Sequence, residues 1–201
     1  MENAKNIIRK NILDKRKAVP STTANEAAEK LCQNFLEFEK FFLPNKEGFS
    51  HKWSGKIIAS YWPINSEIDP RPLMFYIKKN GGDLALPRIE QNDQKSMSFR
   101  QFFYEEKLEI TKFQTKSPPQ NAPILIPDLI LLPLVAFDNN GTRLGYGKGY
   151  YDKTLQEIKK LNPKAYFLGL AFALQEVKFI PSEKHDVKLH ALITEKKVMF
   201  F

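Results

Sequence analysis

Hydrophobic residues recur at helical intervals over the start of the chain. They predict one helix over residues 3–18 and a second over residues 23–42. The second pattern has a single apolar face, formed by Ala27, Leu31, Phe35 and Phe38. Thr23 and Glu26 stand at its start with the spacing of a capping box. Both helices are therefore expected to pack one face against a core.

Short β-prone runs and further helical patterns alternate over the remaining chain. The predicted strands cover residues 56–62, 83–87, 97–103, 129–135, 165–172 and 189–194. The run 129–135 is apolar throughout, which is typical of a strand buried on both faces. Asp69 is expected to cap a helix that begins at Pro70, and another helix is expected over residues 152–161. Residues 104–123 show no clear periodicity.

This alternation of strands and helices predicts an α/β fold. A chain of 201 residues suits one well-packed domain. No repeat, low-complexity tract or linker marks a domain boundary. We therefore expect a single three-layer domain over residues 1–201, in which helices flank a mostly parallel or mixed central sheet.

The charge of the chain indicates an anionic partner. Lysine and arginine number 31 against 23 acidic residues, which gives a net charge of +8. Nucleic acid, an anionic membrane and phosphorylated small molecules would all suit this charge. The basic residues are spread along the chain, however, and no nucleic-acid-binding motif accompanies them. Small anionic ligands are therefore favoured, and nucleic acid is not expected.

The remaining composition indicates an intracellular globular protein. No apolar run approaches the roughly 20 residues needed to span a bilayer, and the charged N-terminus lacks the apolar centre of a signal peptide. We expect a cytoplasmic monomer that does not enter the membrane. The single cysteine, Cys32, falls among apolar residues of the second helix and is interpreted as a core residue. The histidines show no spacing typical of zinc ligands.

The candidate chemistry is concentrated in a glycine-rich stretch after the buried run. It combines glycines, cations and tyrosines, namely Arg143, Gly145, Tyr146, Gly147, Lys148, Gly149, Tyr150 and Tyr151. A glycine-rich loop between a buried strand and a helix can turn backbone N–H groups toward an anion. A lysine in such a loop suits the outer phosphates of a nucleotide. A flexible surface turn is the simpler alternative, but the clustered cations and tyrosines favour a site.

The stretch does not match the common nucleotide-binding patterns. Lys148 is followed by Gly149, where the P-loop pattern requires serine or threonine. The third glycine also comes one residue too early for the dinucleotide-binding pattern. Residue chemistry alone therefore predicts a phosphate-binding loop of another type.

The run LLPLVAFD at residues 131–138, followed by RLGYGKGYYD at residues 143–152, closely resembles the signature of the 5-formyltetrahydrofolate cyclo-ligase family. Further landmarks of that family occur in the same order along nearly the whole chain. The resemblance implies an α/β fold that binds its ligands over the carboxyl ends of the strands. It also implies ATP-driven cyclisation of 5-formyltetrahydrofolate to 5,10-methenyltetrahydrofolate, with release of ADP and phosphate.

The resemblance implies roles for individual residues. Lys148 and Arg143 are expected to be catalytic because they would neutralise phosphate charge. The implied ATP-binding residues are Lys5, Arg9, Arg143, Leu144, Gly145, Tyr146, Gly147, Lys148, Gly149, Tyr150 and Tyr151. The implied folate-binding residues are Trp62, Glu67, Tyr146, Gly147, Lys148, Gly149 and Tyr150. Asp152 and Asp186 are the implied ligands of Mg²⁺.

Several of these residues have plainer interpretations from spacing alone. Lys5 and Arg9 are four residues apart and would form a solvated basic face. Glu67 would be an exposed loop acid, and the adjacent His185 and Asp186 would belong to a polar loop. The functional interpretations of these positions therefore depend on the resemblance.

Three rival classes of function remain open. A basic nucleic-acid-binding module does not explain the glycine-rich stretch. A folate-binding protein without catalysis would need neither Lys148 nor the acidic pair Asp152 and Asp186. Another ATP-dependent ligase on the same scaffold would differ only in its substrate. The role of Arg88 is open between a charged surface and a phosphate site.

Overall fold

Seven strands form one sheet in the computed structural model, which describes residues 2–44, 50–89, 96–111, 115–183 and 186–201. The helices are α1 (Glu2–Lys17), α2 (Ser21–Phe42), α3 (Arg71–Lys79) and α4 (Tyr150–Leu161). Over the described residues, no helix combines the length and apolar character needed to cross a membrane. The strands of the sheet are β1 (Ile57–Ala59), β2 (Asp83–Ile89), β3 (Met97–Phe102), β6 (Leu129–Pro133), β9 (Tyr166–Leu170), β10 (Ala191–Ile193) and β11 (Val198–Phe200). Two separate hairpins are formed by β4 (Glu109–Ile110) with β5 (Lys116–Ser117) and by β7 (Ala136–Phe137) with β8 (Arg143–Leu144).

The winding of the sheet reverses between β1 and β6. The strand order is β11-β10-β9-β6-β1-β2-β3, so strands that follow β6 in the chain lie on its far side from β1. The inner strands are all parallel, while β3 and β11 pair antiparallel at the two edges. Ile58 and Ala59 of β1 pair with Leu129 and Ile130 of β6.

Helices cover both faces of the sheet and give three layers. Leu129 and Leu131 of β6 belong to the core with α2 and α3, whereas Ile130 and Leu132 belong to the core with α4. Alternate side chains of this strand thus enter opposite cores, as a strand buried on both faces requires. The predicted α/β fold with a mostly parallel or mixed sheet is confirmed.

Helix α1 packs at the end of the sheet rather than on either face. Ile12 belongs to a third apolar cluster with Val135, Ala136, Leu144 and Ile180. Val135 and Ala136 follow directly after the carboxyl end of β6. This cluster therefore holds α1 over the carboxyl end of the sheet.

The start of α2 differs from the sequence prediction. The helix begins at Ser21 after Pro20 and has no side-chain cap, so the predicted capping box of Thr23 and Glu26 is wrong. The carbonyl of Pro20 accepts the N–H of Ala24 at 2.9 Å. This bond starts the helix before Thr23, which lies inside its first turn.

Two other helices also begin at residues that differ from the prediction. Helix α3 begins at Arg71 rather than Pro70, although Asp69 still accepts the backbone N–H of Arg71 at 2.9 Å. Helix α4 begins at Tyr150, directly after Gly149. The sequence analysis does not predict strand β11 or the two hairpins, because runs of two or three residues show no measurable periodicity.

The docking of α1 predicts unequal effects for two isoleucines of that helix. Ile12 is 3% exposed and Ile7 is 56% exposed. We expect Ile12→Ala to lower the free energy of unfolding by about 2–4 kcal/mol, because it leaves a cavity in the third cluster. The matched control Ile7→Ala should change it by less than about 0.5 kcal/mol. Urea denaturation followed by circular dichroism measures both, and equal losses would show that this cluster does not hold α1.

Candidate active site

A cavity of about 490 Å³ opens at the carboxyl ends of β1 and β6. Tyr61 and Trp62 reach it from the segment after β1, and Pro133 reaches it from the end of β6. Because the winding reverses between these strands, the segments that follow them diverge and leave a crevice. The volume is in the range of cavities that hold small ligands.

The residues predicted to bind ATP, folate or metal all line this cavity. They come from α1, from the segment after β1, from the glycine-rich loop with the start of α4, and from the segment before β10. They are Lys5, Arg9, Trp62, Glu67, Arg143, Leu144, Gly145, Tyr146, Gly147, Lys148, Gly149, Tyr150, Tyr151, Asp152 and Asp186. The fold thus brings together side chains as distant in the chain as Lys5 and Asp186, which are 181 positions apart.

Arg9 holds the glycine-rich loop against α1. Its Nε donates to the carbonyl of Gly145 at 3.0 Å. Gly147 has a φ of 87°, and a Cβ at that position would lie 3.0 Å from the guanidinium of Arg9. The positive φ favours glycine at this position, and a side chain there would also displace the guanidinium of Arg9. Arg9 contacts the loop backbone, and it does not form the solvated basic face that spacing alone predicts.

Lys5 forms ion pairs at the polar end of the cavity. Its Nζ lies 3.2 Å from Oδ2 of Asp186 and 3.3 Å from Oε1 of Glu183. Burial lowers the pKa of Lys5, but the hydrogen bonds to Asp186 and Glu183 outweigh burial and leave the pKa raised. The ammonium group is therefore a stable positive charge in the wall of the cavity.

A second ion pair lies beside the first. Nη2 of Arg143 donates to Oδ1 of Asp152 at 2.6 Å, and the Arg143 side chain is 3% exposed. Burial lowers the pKa of Arg143, and the charge of Asp152 offsets part of that effect. The backbone N–H of Val187 donates to the same carboxylate at 3.3 Å, which brings its neighbour Asp186 close to Asp152. The carboxylates of Asp152, Glu183 and Asp186 and the cations of Lys5 and Arg143 therefore share this end of the cavity.

Asp152 and Asp186 both line the cavity and supply the kind of oxygen donor that a divalent cation binds. Mg²⁺ prefers carboxylate oxygens and completes its coordination with water and phosphate oxygens. The pair fits that chemistry, although the carboxylates now contact Arg143 and Lys5. Within the described ranges, no three His, Cys, Asp or Glu side chains cluster as a metal cage. His185 lies outside the described residues.

Arg16 is a functional candidate that sequence reasoning missed. The residue is 1% exposed, and its Nη1 donates to the carbonyl of Leu134 at 3.1 Å. Its Nε donates to Oγ of Ser66 at 3.0 Å, and its Nη2 donates to the hydroxyl of Tyr146 at 2.6 Å. Arg16 follows Ile12 by one helical turn, so the available signal was an arginine on the apolar face of α1.

Glu67 faces the cavity next to this network. Its Oε2 accepts the backbone N–H of Ile64 at 2.9 Å. Burial raises the pKa of Glu67 to about 7, against the opposing effects of the Ile64 hydrogen bond, the Arg16 charge and a hydrogen bond from Tyr146. Glu67 is therefore a carboxyl group that exchanges a proton near neutral pH, and not an ordinary exposed acid.

Another part of the cavity lining is apolar. Side chains of β2, β3 and the segment after β1 line it, namely Trp62, Ile64, Pro87, Ile89 and Met97. Arg88 lies between two of these residues in β2, but its Nη1 donates to Oε2 of Glu109 and to the carbonyl of Pro118, both at 2.7 Å. Arg88 therefore anchors the β4–β5 hairpin. The sequence had left its role open between a charged surface and a phosphate site.

The fold and the cavity define an α/β protein with a charged ligand site at the carboxyl ends of parallel strands. The sequence model of the 5-formyltetrahydrofolate cyclo-ligase family matches residues 1–195. The chain is 30% identical over 145 residues to the 5-formyltetrahydrofolate cyclo-ligase of Escherichia coli (strain K12), which covers 70% of this chain and 79% of that relative. It is 28% identical over 199 residues to the protein of the same name from Mycoplasma pneumoniae, which covers 96% of this chain and 99% of that relative.

Two solved structures are also similar. The 5,10-methenyltetrahydrofolate synthetase of Aquifex aeolicus has a TM-score of 0.76 and 28% identity, covering 98% of this chain and 92% of that chain. The synthetase of Mycoplasma pneumoniae has a TM-score of 0.70 and 26% identity, covering 96% of this chain and 99% of that chain. The chain belongs to the 5-formyltetrahydrofolate cyclo-ligase family and is a ligase enzyme.

The raised pKa of Glu67 predicts a pH dependence of stability. Between the ordinary pKa of 4.5 and the folded pKa of about 7, native Glu67 keeps a proton that the unfolded chain has lost. The free energy of unfolding should therefore fall as pH rises through this window, by about 2 kcal/mol from this group. Glu67→Gln cannot ionise and should lose this slope. Urea denaturation of both proteins across the window measures it, and parallel curves would contradict the raised pKa.

Proposed function

We propose that the protein catalyses the ATP- and Mg²⁺-dependent cyclisation of 5-formyltetrahydrofolate to 5,10-methenyltetrahydrofolate, with release of ADP and phosphate. The folate reaction is supported by the family and by the names of its relatives. One observation carries the proposal for ATP and metal: cations, a glycine-rich loop, an acidic pair and Glu67 line a single cavity. A nucleotide and a folate can meet there.

The polar end of the cavity would bind the phosphates of ATP. Backbone N–H groups of residues 145–149 and the N-terminus of α4 would face the phosphate oxygens. Lys148 and Arg143 would be catalytic, because they neutralise charge that develops on the transferred group. Lys5 and Arg9 would add positive charge from α1. Their position next to the loop supports this division of roles.

The acidic pair would hold the metal. Asp152 and Asp186 supply hard oxygen donors, and phosphate oxygens with water would complete the coordination. When bound, Mg²⁺ would neutralise charge on the phosphates of ATP. The contacts of these carboxylates with Arg143 and Lys5 support a shared role in binding phosphate.

Glu67 and Trp62 would bind the folate. An ionised Glu67 can accept two hydrogen bonds from the aminopyrimidine edge of the pterin, and those bonds would favour the charged form and lower its pKa. Trp62 would form an apolar wall. Tyr146 and Tyr150 would border the substrate from the glycine-rich loop.

The proposed chemistry solves two problems of the substrate. An N-formyl carbon is a poor electrophile, and its oxygen is a poor leaving group. Transfer of the γ-phosphoryl group breaks its bond to ADP and forms a bond to the formyl oxygen. N10 then attacks the activated carbon, the carbon–oxygen bond breaks, phosphate leaves, and the proton of N10 is released. Positioning and charge neutralisation are then the main tasks of the protein, and no side chain is needed as a nucleophile.

The whole chain would form one functional unit. Lys5 and Asp186 meet in one cavity, which supports a single domain over residues 1–201. We propose that this domain acts as a cytoplasmic monomer on ATP and 5-formyltetrahydrofolate. Nucleic acid is not a proposed partner, because the cations described above face a cavity of small-molecule size.

The first test is a direct assay. Purified protein with 5-formyltetrahydrofolate, Mg²⁺ and ATP should produce the absorbance band of methenyltetrahydrofolate, and omission of ATP should abolish its growth. Chelation of the metal should slow the reaction strongly, and added Mg²⁺ should restore it. No growth of the band from folded protein would leave another ATP-dependent ligase as the alternative.

Replacement of Lys148 tests the catalytic role proposed for the glycine-rich loop. We expect Lys148→Ala to reduce kcat/KM by about 10²-fold or more, because it removes a charge that contacts the transferred phosphoryl group. Lys160→Ala, at the distant end of α4, removes the same charge from an exposed position and should leave the rate unchanged. The same absorbance assay measures both. A Lys148→Ala variant as active as the control would remove the loop lysine from the mechanism.

A further inference from the structure

Arg16 lies behind the wall of the cavity and contacts two segments that form this wall. The residue is 1% exposed in the last turn of α1. Its Nη2 donates to the hydroxyl of Tyr146, and its Nε donates to Oγ of Ser66. Tyr146 and Glu67, the neighbour of Ser66, both line the cavity. A cation too buried to touch a ligand therefore contacts both the segment that carries Glu67 and the glycine-rich loop.

The position of this guanidinium is fixed by the end of β6. Nη1 of Arg16 donates to the carbonyl of Leu134 at 3.1 Å. Nε2 of the buried Gln175 donates to the same carbonyl at 2.7 Å and to the carbonyl of Val135 at 3.0 Å. A planar guanidinium whose donors bind three separate segments has little freedom to follow any one of them. Arg16 is therefore a fixed point between the two parts of the cavity wall.

The segment that carries Glu67 forms a tight turn. The backbone N–H of Glu67 donates to the carbonyl of Ile64 at 3.1 Å, and its carboxylate accepts the N–H of Ile64 at 2.9 Å. Asn65 inside this turn has a φ of 52°, a conformation that few residues other than glycine adopt. The bond from Arg16 to Ser66 attaches this turn to α1. The carboxyl group of Glu67 is therefore held in a defined place.

The hydroxyl of Tyr146 connects Arg16 to Glu67. It accepts a hydrogen bond from Arg16 at 2.6 Å and forms another with the Glu67 carboxyl. A hydroxyl has one proton, so a hydroxyl that accepts from a guanidinium can direct its own proton to a carboxylate. Tyr146 stands between Gly145 and Gly147 in the glycine-rich loop. Glu67 and the loop are therefore joined by one side chain, whose orientation Arg16 sets.

This connection joins the two proposed ligand sites. The pKa of Glu67 is about 7, so the free protein contains both forms of the carboxyl group near neutral pH. A pterin that donates two hydrogen bonds favours the ionised form, and a carboxylate accepts a stronger bond from Tyr146 than a neutral carboxyl group does. The stronger bond holds Tyr146, and with it the backbone N–H groups proposed to bind phosphate. A nucleotide then binds to a loop that is already ordered.

We propose that Arg16 is a positioning residue, which acts through Tyr146 and Ser66 to hold Glu67 and the glycine-rich loop in one arrangement, so that the folate and the nucleotide bind cooperatively. The inference rests on the proposed function, because it concerns the same two ligands. Each ligand strengthens the binding of the other by the same factor, as linkage requires. Direct repulsion between two anionic ligands has the opposite sign and gives a factor below one.

The test measures this factor without turnover. Isothermal calorimetry gives the dissociation constant of a Mg²⁺-bound ATP analogue with a β,γ-imido bridge, in the absence and in the presence of saturating 5-formyltetrahydrofolate. We expect the folate to lower this constant about fivefold or more in the wild-type protein. The dissociation constant of the folate should fall by the same factor when the analogue is saturating. A factor of one or below in the wild-type protein would overturn the proposal.

Two variants each remove one bond of Arg16 and leave the guanidinium in place. Tyr146→Phe removes the hydroxyl, and the factor should fall to about one. Ser66→Ala removes the other bond and should lower the factor at least twofold. Tyr104→Phe is the matched control, because Tyr104 is as exposed as Tyr146 and its hydroxyl bonds the carbonyl of Arg71 outside the cavity. This control should keep the wild-type factor.

A purely structural role of these bonds gives a different result. It would change the stability of the variants or their affinities for single ligands, and it would leave the factor as in the wild-type protein. A wild-type factor in Tyr146→Phe would therefore overturn the proposal. A wild-type factor in Ser66→Ala, together with its loss in Tyr146→Phe, would remove Arg16 from the connection and leave Tyr146 and Glu67 alone.

Failure of this inference can be told apart from failure of the proposed function. Wild-type protein that turns over but shows a factor of one would refute the cooperativity and keep the function. Wild-type protein that binds neither the folate nor the ATP analogue would refute both. If both ligands bind and no turnover occurs, the factor still decides the inference, because the calorimetry does not depend on the reaction.

Discussion

The buried guanidinium of Arg16 is the interaction on which the arrangement of the site depends. A charge that is 1% exposed is tolerated only where hydrogen bonds replace its water. Arg16 obtains these bonds from the carbonyl of Leu134 and from the hydroxyls of Ser66 and Tyr146. Those partners belong to the end of β6, the segment after β1 and the glycine-rich loop. The hydrogen bonds of this one guanidinium therefore hold three distant segments around α1.

Two further cations of α1 also contact segments around the cavity. Arg9 binds the loop carbonyl of Gly145, and Lys5 forms ion pairs with Glu183 and Asp186. One helix thus carries a structural cation and two cations of the cavity wall. Carboxylates neutralise much of this charge in the ligand-free protein, which reduces repulsion among the cations. The proposed polyphosphate and divalent cation carry charges of the same two signs as these cations and carboxylates.

The two sides of the sheet order supply chemically different parts of the cavity lining. Segments after β6 provide charges and a glycine-rich loop, whereas β2, β3 and the β4–β5 hairpin provide apolar surface with a lysine at its edge. Glu67 follows β1, and its carboxyl accepts the backbone N–H of Ile64 in the same segment and a hydrogen bond from Tyr146 of the glycine-rich loop. The reversal of winding at β1 and β6 opens the crevice in which these segments meet.

The sequence by itself determined the features that depend on residues close together in the chain. The apolar run 129–135 indicated burial on both faces, and the stretch 143–152 indicated the family. Only tertiary structure decided the contacts of Arg16 and Arg88, and only it formed β11 and the hairpins. Periodicity is a local property of the chain and can be read from it. Whether a charge is buried, and what it then binds, depends on segments that meet only when the chain folds.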